Sequence, residues 1–339
     1  MTTTTLPALR SAQELVQPAL QRAVAGMSAE SARIAAYHLG WTEADGTPRT
    51  GGGGKALRPA LALLAAQAAD ASPEVARPGA VAVELVHNFS LLHDDVIDGD
   101  VERRHRPTVW ALEGASAAIL AGDEMLSVAY ATLLDPSVGP HGIPAARVLA
   151  ATVRDLIRGQ FEDVAFEHRD GVRLEECLAM ADGKTAALLS ASAAVGAVLA
   201  GADAAVVDAL AAYGRHLGIA FQLVDDLLGI WGDPEATGKA VGADLRARKK
   251  TLPVTYALSQ PVRAAVDLAA LLQNQDPLTD TDVARASALV EECGGRAWAE
   301  READRRLAHA ESALAEVGLV AAPRAELVAL ARFVGSRDH

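Results

Sequence analysis

LVHNFSLLHDDVIDGDVERRHRP, residues 85–107, is the stretch that decides the fold. Its apolar residues recur at helical spacing up to an acidic cluster, Asp94-Asp95-x-x-Asp98, and the pair Arg103-Arg104 follows. On a helix, Asp94 and Asp98 are i,i+4 neighbours, so their carboxylates project from one face. Like charges held this close in an apolar helix need a compensating cation. The stretch therefore predicts a helix that ends in a metal site.

Two explanations remain open for this acidic cluster. A solvated acidic helix face is the usual explanation of an isolated cluster. The apolar neighbours Leu91, Leu92, Val96 and Ile97 argue against it here. Among metal ions Mg²⁺ fits best, because it accepts one or two carboxylates together with substrate phosphate oxygens, whereas zinc prefers His or Cys.

A second acidic pair, Asp225-Asp226, ends the apolar run FQLVDD at residues 221–226. Two helices that each end in acidic residues could place both clusters on one cavity, which is the arrangement that a bridging metal cluster needs. Each cluster also has basic residues close to it in the sequence. We therefore expect the two clusters to hold a diphosphate through Mg²⁺.

The next segment, GDPEATGKAVGADLRARKKTLP at residues 232–253, is long for a loop inside a domain. Its basic residues are Lys239, Arg246, Arg248, Lys249 and Lys250. Loops of this length are generally functional or disordered. We expect an ordered flap over an anion, with a plain solvated loop as the alternative.

A glycine run from Gly51 to Gly54 precedes Lys55 and Arg58. Glycines let backbone N–H groups approach an anion closely, and a helix N-terminus favours negative charge. Lys55 supplies a point charge and Arg58 a fork of donors. The run is not a Walker A loop, because Ala56 follows Lys55 where Ser or Thr would be needed. Considered alone, a glycine run before a basic helix start is more often an ordinary loop.

The composition of the 339 residues favours close-packed helices, since 50% are hydrophobic and only 4% are aromatic. No break in the pattern has the composition of an interdomain linker, so we expect one all-α domain over residues 1–339, with residues 1–6 disordered. The predicted helices span residues 8–25, 28–40, 55–70, 75–99, 107–134, 143–167, 173–200, 203–231, 252–273, 279–318 and 323–335.

The net charge of −13 argues against nucleic acid or an anionic membrane as the main partner. No apolar stretch reaches the roughly 18 residues that suggest a membrane span. The two cysteines, Cys177 and Cys293, have no metal-ligand spacing and suit a reducing compartment. The first residues carry no export signal. We therefore expect a cytoplasmic protein without a membrane span.

Taken together, the motifs resemble those of the trans-isoprenyl diphosphate synthases, also called polyprenyl synthases. The resemblance keeps the family's order over most of the chain. The matching stretches are GGKALRP at 53–59, LVHNFSLLHDDVIDGDVERRHRP at 85–107, ILAGDEML at 119–126, GQFEDV at 159–164, GKTAALL at 183–189, FQLVDD at 221–226 and TGKAVGADLRARKKTLP at 237–253. It implies an antiparallel helical bundle of the isoprenoid synthase type around a central cavity, a homodimer, and a Mg²⁺-dependent prenyltransferase.

The resemblance also assigns roles to residues. Asp94 and Asp98, with Asp95 behind them, would hold two Mg²⁺ ions on an allylic diphosphate, and Asp225 would hold a third. Further contacts with this diphosphate fall to Arg103, Lys184, Thr185, Gln222, Asp226, Lys239 and Lys249. The implied catalytic residues are Asp94, Asp95, Asp98, Asp225, Lys184 and Arg103. Isopentenyl diphosphate would bind without metal to Lys55, Arg58, His87 and Arg104.

The implied reaction begins with ionisation of a dimethylallyl, geranyl or farnesyl diphosphate, and the double bond of isopentenyl diphosphate then attacks the cation. In the family, a bulky residue five positions before the first Asp limits elongation. Here that residue is Phe89, about 7.5 Å from Asp94 along the helix axis. With the small Ser90 beside it, the pattern resembles geranylgeranyl (C20) synthases, and farnesyl (C15) or longer products are the alternatives.

Some positions depart from the family pattern. Gly229 stands where the second motif has its third Asp, although Asp244 remains nearby in the loop. His105 and Arg248 each stand where Gly is common, and Ala56 where Arg is common. A class I terpene cyclase and a non-catalytic regulatory subunit of a heteromeric synthase are the competing functions. The cyclase would not need the second, metal-free site, and such subunits usually lose the first acidic cluster.

Overall fold

The structure is a computed structural model that describes residues 6–49, 56–232, 241–274 and 276–336. The chain divides into two compact units, each built from separate stretches of sequence. The first unit comprises Met1–Val153, Leu188–Gly214 and Glu316–Leu327. The second comprises Arg154–Ala187, Arg215–Ala315 and Val328–His339. A single domain over the whole chain stays a prediction. The expected disorder of residues 1–6 falls outside the described residues except at Leu6, whose carbonyl accepts the Arg10 N–H at 3.3 Å.

The helices of the first unit surround the acidic helix α4. They are α1 (Pro7–Ala25), α2 (Ala29–His38), α3 (Leu57–Ala68), α4 (Arg77–Asp98), α5 (Val109–Glu113) and α6 (Ala115–Leu134), together with most of α9 (Ala187–Leu199). A short hairpin of β1 (Glu102–Arg103) and β2 (Arg106–Pro107) follows α4. Leu85 and Leu92 of α4 are fully buried, as is Met125 of α6. The apolar face of α4 therefore packs inside this unit and holds its acidic end in a fixed place.

The second unit contains α8 (Leu174–Ala181), α11 (Ala243–Arg246), α12 (Leu252–Leu258), α13 (Arg263–Gln273), α14 (Asp280–Glu292) and α15 (Gly295–Ala313). Helices α7 (Gly142–Glu167), α10 (Ala204–Trp231) and α16 (Ala321–Gly335) contribute residues to both units. One buried cluster joins Cys177, Leu223 and Leu252. Another joins Ile230, Leu245 and Val290. Both clusters contain residues of α10, so the helix that carries Asp225 is anchored on two sides.

The predicted helices agree with the observed ones to within a few residues, except where a predicted helix is broken. Residues 107–134 form two helices, because the chain turns at Gly114 with a φ of 87°. Residues 279–318 are broken at Gly294, which has a φ of 78°. Residues 252–273 form two helices, Leu252–Leu258 and Arg263–Gln273, because the chain leaves the helical conformation at Val262, which has a φ of −128° and a ψ of 157°. Residues 173–200 are interrupted by a π-helical turn, Asp182–Ala186. The predicted loop 232–253 contains the helical turn α11.

Helix α6 is the one helix of the described residues that is long and apolar enough to cross a membrane, judged by length and composition alone. Core helices of soluble proteins meet the same test. In this structure α6 packs against α4, α2 and α5. Its side chains Ile119 and Leu120 are exposed, by 40% and 65%.

Helices α3 and α9 approach each other so closely that a side chain does not fit between them. A Cβ atom added to Gly196 would lie 2.8 Å from the backbone carbon of Ala62. We expect Gly196→Ala to lower the free energy of unfolding by about 2 kcal/mol, because two backbones must separate. Gly318→Ala is the control, since no atom lies within 4 Å of a Cβ there. Urea denaturation of both variants measures the difference, and equal stabilities would contradict this packing.

Candidate active site

The acidic end of α4 presents two carboxylates from one side of the helix. Asp94 and Asp98 are half-buried, and the helix ends directly after them at Gly99, which has a φ of 69°. Asp95 points elsewhere, since only 1% of its surface is exposed. The spacing therefore separates two accessible carboxylates from one buried carboxylate.

Asp95 is paired with Arg103 of the hairpin that follows α4. The Nε of Arg103 donates to Oδ1 of Asp95 at 2.7 Å, while Oδ2 of Asp95 is buried without a partner. Burial raises the pKa of Asp95 to about 6, although the nearby Arg103 opposes this shift. Asp95 therefore fixes the orientation of the Arg103 side chain.

The hairpin turn places two residues in the left-handed region. Arg104 has a φ of 54° and His105 a φ of 59°. Glycine or Asn is the usual residue in such turns, so His105 keeps the backbone conformation that the family's Gly would adopt. The two-residue turn of Arg104 and His105 joins Arg103 at the end of β1 to Arg106 at the start of β2.

A cationic cluster lies in the same unit, built by Arg58 of α3, Glu84 and His87 of α4, and Arg104. No carboxylate oxygen lies within 4.0 Å of the guanidinium of Arg58 or Arg104 among the described residues. The Nε of Arg58 is buried and has no hydrogen-bond partner. Burial lowers the pKa of Arg58 to about 10, with Glu84 opposing the shift. Among the described residues, Glu84 supplies one negative charge against the two arginines, so the cluster keeps an excess of positive charge.

The two histidines near this cluster are held neutral. Burial and the neighbouring arginines Arg58 and Arg104 lower the pKa of His87 well below its usual value. Burial, followed by Arg103, Arg104 and Arg106, lowers the pKa of His38 to about 3. The Nε2 atom of His38 is buried without a partner. Neutral imidazoles add hydrogen-bonding atoms to the cluster without adding charge.

In the second unit, the GKTAALL stretch forms an irregular turn at the predicted residues Lys184 and Thr185. The π-helical turn Asp182–Ala186 interrupts the helical region between α8 and α9. The backbones of Gly183 and Gly159 are in close contact, so a Cβ atom on Gly183 would lie 3.2 Å from Cα of Gly159. The Nζ of Lys184 donates to Oδ2 of Asp163 on α7 at 2.5 Å. Such π-turns occur frequently at functional sites.

A chain of hydrogen bonds connects this turn with α10 and with the start of α12. The Thr185 hydroxyl donates to Oε1 of Gln222 at 2.6 Å, and Nε2 of Gln222 donates to Oδ1 of Asp226 at 2.7 Å. The other oxygen of Asp226 accepts the backbone N–H of Leu252 at 2.8 Å. Asp226 is buried, which raises its pKa to about 8. Its neighbour Asp225 is exposed.

Gly229 stands where the second motif usually has its third Asp, and another carboxylate lies close to this position. The carboxylate of Asp244 lies against Gly229, where it would overlap a Cβ atom added at that position. Asp244 also raises the pKa of Asp226, although burial is the larger cause. An Asp at position 229 would therefore require the Asp244 side chain to move.

Not all predicted site residues can be placed. Lys55 and Lys239 lie outside the described residues. Lys249 is described and exposed. Arg58, His87, Arg103, Arg104, Asp94 and Asp98 belong to the first unit, and Lys184, Thr185, Gln222, Asp225, Asp226 and Lys249 to the second. A common cavity for the two acidic motifs stays a prediction.

The donor atoms fit Mg²⁺ better than other metals. Within the described ranges, no group of three or more His, Cys, Asp or Glu residues is arranged to hold a metal ion. Mg²⁺ needs only one or two carboxylates when substrate phosphates complete its coordination. The half-buried carboxylates of Asp94 and Asp98 and the exposed Asp225 meet this requirement.

Two residues at the site were not predicted from the sequence. Glu84 lies one turn before His87 on α4, and its charge interacts with Arg58 and Arg104. Asp163 pairs with Lys184. The i,i+3 spacing of Glu84 and His87 could have indicated Glu84 as a site residue. Asp163 lies in the GQFEDV stretch at 159–164, which was matched without a role for this residue, and its pairing with Lys184 joins positions 21 residues apart.

The chain matches the model of the polyprenyl synthetase family over residues 47–290. It is 52% identical to a (2E,6E)-farnesyl diphosphate synthase from Mycobacterium bovis, covering 100% of this chain and 95% of that protein. A geranylgeranyl diphosphate synthase from Mycobacterium tuberculosis is 46% identical, over 95% of this chain and 91% of that protein. The crystal structure of a polyprenyl synthetase from Streptomyces coelicolor superimposes with a TM-score of 0.93 at 48% identity, over 96% of this chain and 98% of that one.

The chain belongs to the polyprenyl synthetase family. It has the all-α isoprenoid synthase fold, and 78% of its structure is helical. It is a prenyltransferase that makes a short-chain prenyl diphosphate. A geranylgeranyl pyrophosphate synthase from Corynebacterium glutamicum, 26% identical with a TM-score of 0.83 over 99% of this chain and 100% of that one, was solved with isoprenyl diphosphate and magnesium. These findings support dependence on a divalent metal and confirm the expected enzyme class, whereas nothing in them favours a cyclase or a regulatory subunit.

The neutral histidines predict a pH-dependent stability. A histidine whose pKa is lowered in the folded state binds its proton only after unfolding, so stability falls as pH drops below about 6.5. With the pKa of His38 lowered to about 3, this residue alone removes about 2 kcal/mol from the unfolding free energy between pH 7 and pH 5. Denaturation at both pH values measures the loss.

The variant His38→Asn tests the origin of this pH dependence. We expect it to show a smaller decrease in stability between pH 7 and pH 5 than the wild type, because the buried titrating group is gone. The exposed His168 provides the matched control variant, His168→Asn. Identical decreases in wild type and His38→Asn would show that His38 is not kept neutral by its surroundings.

Proposed function

We propose that the protein condenses isopentenyl diphosphate with an allylic diphosphate to form an all-trans prenyl diphosphate. The single observation that carries this proposal is the cationic cluster of Arg58, His87 and Arg104. Among the described residues, no carboxylate oxygen lies within 4.0 Å of the Arg58 guanidinium, and its buried Nε has no acceptor. Such a group calls for an anion from solution. The cluster is therefore the site for the diphosphate that binds without metal.

The acidic motifs serve the other diphosphate. Asp94 and Asp98 would hold two Mg²⁺ ions and Asp225 a third, and the metal stabilises the charge that develops on the leaving diphosphate. Arg103, which Asp95 orients, would add fixed positive charge beside this leaving group, and the family resemblance assigns Lys184, which pairs with Asp163, to the same diphosphate. Such preorganised charge stabilises the transition state without further rearrangement. Thr185, Gln222, Lys239 and Lys249 complete the contacts, and Asp226 holds Gln222 and Leu252 in position.

The bond is formed between the two substrates. Ionisation leaves an allylic cation, the double bond of isopentenyl diphosphate attacks it, and a proton is then lost to the departed diphosphate. No side-chain base is needed. Water would quench the cation. The basic loop, which is the segment of residues 232–253, therefore has to keep water away during the reaction.

Product length depends on Phe89. Its ring is 5% exposed and lies at 75° to the ring of His93, with a centroid distance of 4.9 Å. The His93 ring in turn rests on Gly122 of α6, where a Cβ atom would lie 2.7 Å from its Cδ2. Because His93 contacts both Phe89 and Gly122, the Phe89 ring has little room to move, so it can block elongation of the prenyl chain. Geranylgeranyl diphosphate (C20) is the product that Phe89 and Ser90 favour, and the 52% identity to a farnesyl synthase favours C15 as the second candidate.

We expect a cytoplasmic homodimer. Apolar side chains lie on the surface of two helices, Ile119 and Leu120 on α6 and Ile157 and Phe161 on α7, and Phe161 is 74% exposed. Large exposed apolar side chains on neighbouring turns are typical of protein interfaces. A second copy of the chain is the partner that the family resemblance implies.

The reaction is tested by supplying the purified protein with Mg²⁺, isopentenyl diphosphate and one allylic primer at a time. We expect C15 to C20 products from dimethylallyl, geranyl or farnesyl diphosphate, and chromatography of the dephosphorylated alcohols gives their lengths. Arg58→Ala should raise KM for isopentenyl diphosphate by at least about 10-fold, since a charged contact is lost. Cyclic hydrocarbons, or no condensation by the wild type, would refute the proposed function.

Phe89→Ala tests the control of product length. Removing the ring opens space below Asp94, so we expect products longer by at least one five-carbon unit. Phe166→Ala is the matched control, because Phe166 is 3% exposed and belongs to no tunnel position. Both variants should lose about 3–5 kcal/mol of stability, so only a change of product length distinguishes them. An unchanged product from Phe89→Ala would show that the floor lies elsewhere.

A further inference from the structure

Arg248 has a backbone conformation that its side chain does not favour. Its φ is 53°, in the left-handed region. Non-glycine residues are uncommon there, and persist where the surrounding structure holds them. Arg248 directly precedes Lys249, the residue of this loop that the resemblance assigns to the allylic diphosphate. Its side chain must therefore make contacts that offset the unfavourable backbone.

Those contacts reach a distant segment of the second unit. One terminal nitrogen of Arg248 donates to the carbonyl oxygens of Asn274 and Asp276, at 2.6 and 2.5 Å. Asn274 immediately follows α13. The last carbonyl groups of a helix lack intrahelical donors and carry partial negative charge, so a guanidinium is favourable at this position. Arg248 thus ties the basic loop to the C-terminal end of α13.

The residues around Lys249 are also held. Arg246 donates to the Asp280 carboxylate at 2.7 Å. The Cys177 thiol donates to the Lys250 carbonyl at 3.0 Å. The Lys249 N–H donates to the Asp244 carbonyl at 2.9 Å. Fixed neighbours on both sides leave the backbone of Lys249 little freedom, while its side chain is exposed.

We propose that Arg248 is a positioning residue that holds Lys249 where it can bind the diphosphate of the allylic substrate. This inference rests on the proposed function. Arg248 itself touches no substrate and acts through the carbonyl groups of residues 274 and 276. Because residues 246–250 make these contacts without substrate, binding does not have to supply the ordering entropy at this point.

Arg248→Gly is the decisive variant, because it removes the contacts and at the same time relieves the unfavourable backbone. We expect the melting temperature to be unchanged or higher. KM for the allylic diphosphate should rise about 10-fold, while KM for isopentenyl diphosphate stays within about 2-fold of the wild type. Arg248→Lys, which keeps a cation of similar length, should restore part of the affinity.

Asp70→Gly is the matched control. Asp70, just after the end of α3, has a φ of 62°. Glycine there relieves the same left-handed backbone strain as at Arg248, but at a position outside both substrate sites. It should leave both KM values unchanged. An Arg248→Gly protein with wild-type KM values, or with equal increases for both substrates, would overturn the proposal.

Hydrogen exchange distinguishes failure of this inference from failure of the proposed function. The amide of Lys249 should exchange faster in Arg248→Gly than in the wild type, and this measurement needs no turnover. Unchanged exchange would overturn the proposal even in an active enzyme. Faster exchange in a protein whose wild type performs no condensation would support the role of Arg248 in holding Lys249 and would refute the proposed function.

Discussion

Positive charge that the protein leaves uncompensated is the feature on which the rest of the first unit depends. Arg58 lies in the first turn of α3 with its Nε buried, and in the part of the chain that the structure describes no carboxylate approaches its guanidinium or that of Arg104 within 4.0 Å. Glu84 interacts with both arginines through space but does not form an ion pair with them. Burial, and after it the positive charge of the neighbouring arginines, lowers the pKa values of His38 and His87 and keeps both neutral. A protein keeps such an arrangement when an anion is to be bound there.

A single helix arranges much of this chemistry. Helix α4 carries Glu84, His87, Phe89 and the first acidic motif along a few turns. The hairpin after it returns Arg103 to Asp95. Asp95 is buried and pairs with Arg103 of the hairpin, whereas Asp94 and Asp98 remain half-buried. Helical periodicity is what allows acidic and basic groups to lie close in sequence without neutralising each other.

The sequence predicted the helices and most of the residues that the motifs contain. It failed where a helix is broken by local geometry, as at Gly114 and in the π-helical turn around Lys184, because apolar periodicity continues through both. Side-chain contacts between distant positions could not be predicted from the sequence either. Asp163 is 21 residues from its partner Lys184, and Asp276 is 28 residues from its partner Arg248. Such pairs arise from tertiary packing, which no local pattern encodes.

Departures from the family motif are explained by conformation. Arg248 and His105 retain the left-handed backbone that glycine would adopt. Gly229 makes room for Asp244, which brings a carboxylate close to the same place. These substitutions change side chains while the backbone is preserved. Motif departures of this kind therefore do not by themselves indicate loss of activity.

The central claim is that two diphosphates bind by different means, one through side-chain cations and one through metal. Isothermal titration of the protein with isopentenyl diphosphate, with and without a chelator, tests it most directly. The account predicts that the chelator leaves this affinity unchanged but abolishes binding of a non-reactive allylic diphosphate analogue. Equal loss of both affinities in the chelator would contradict a metal-free cationic site.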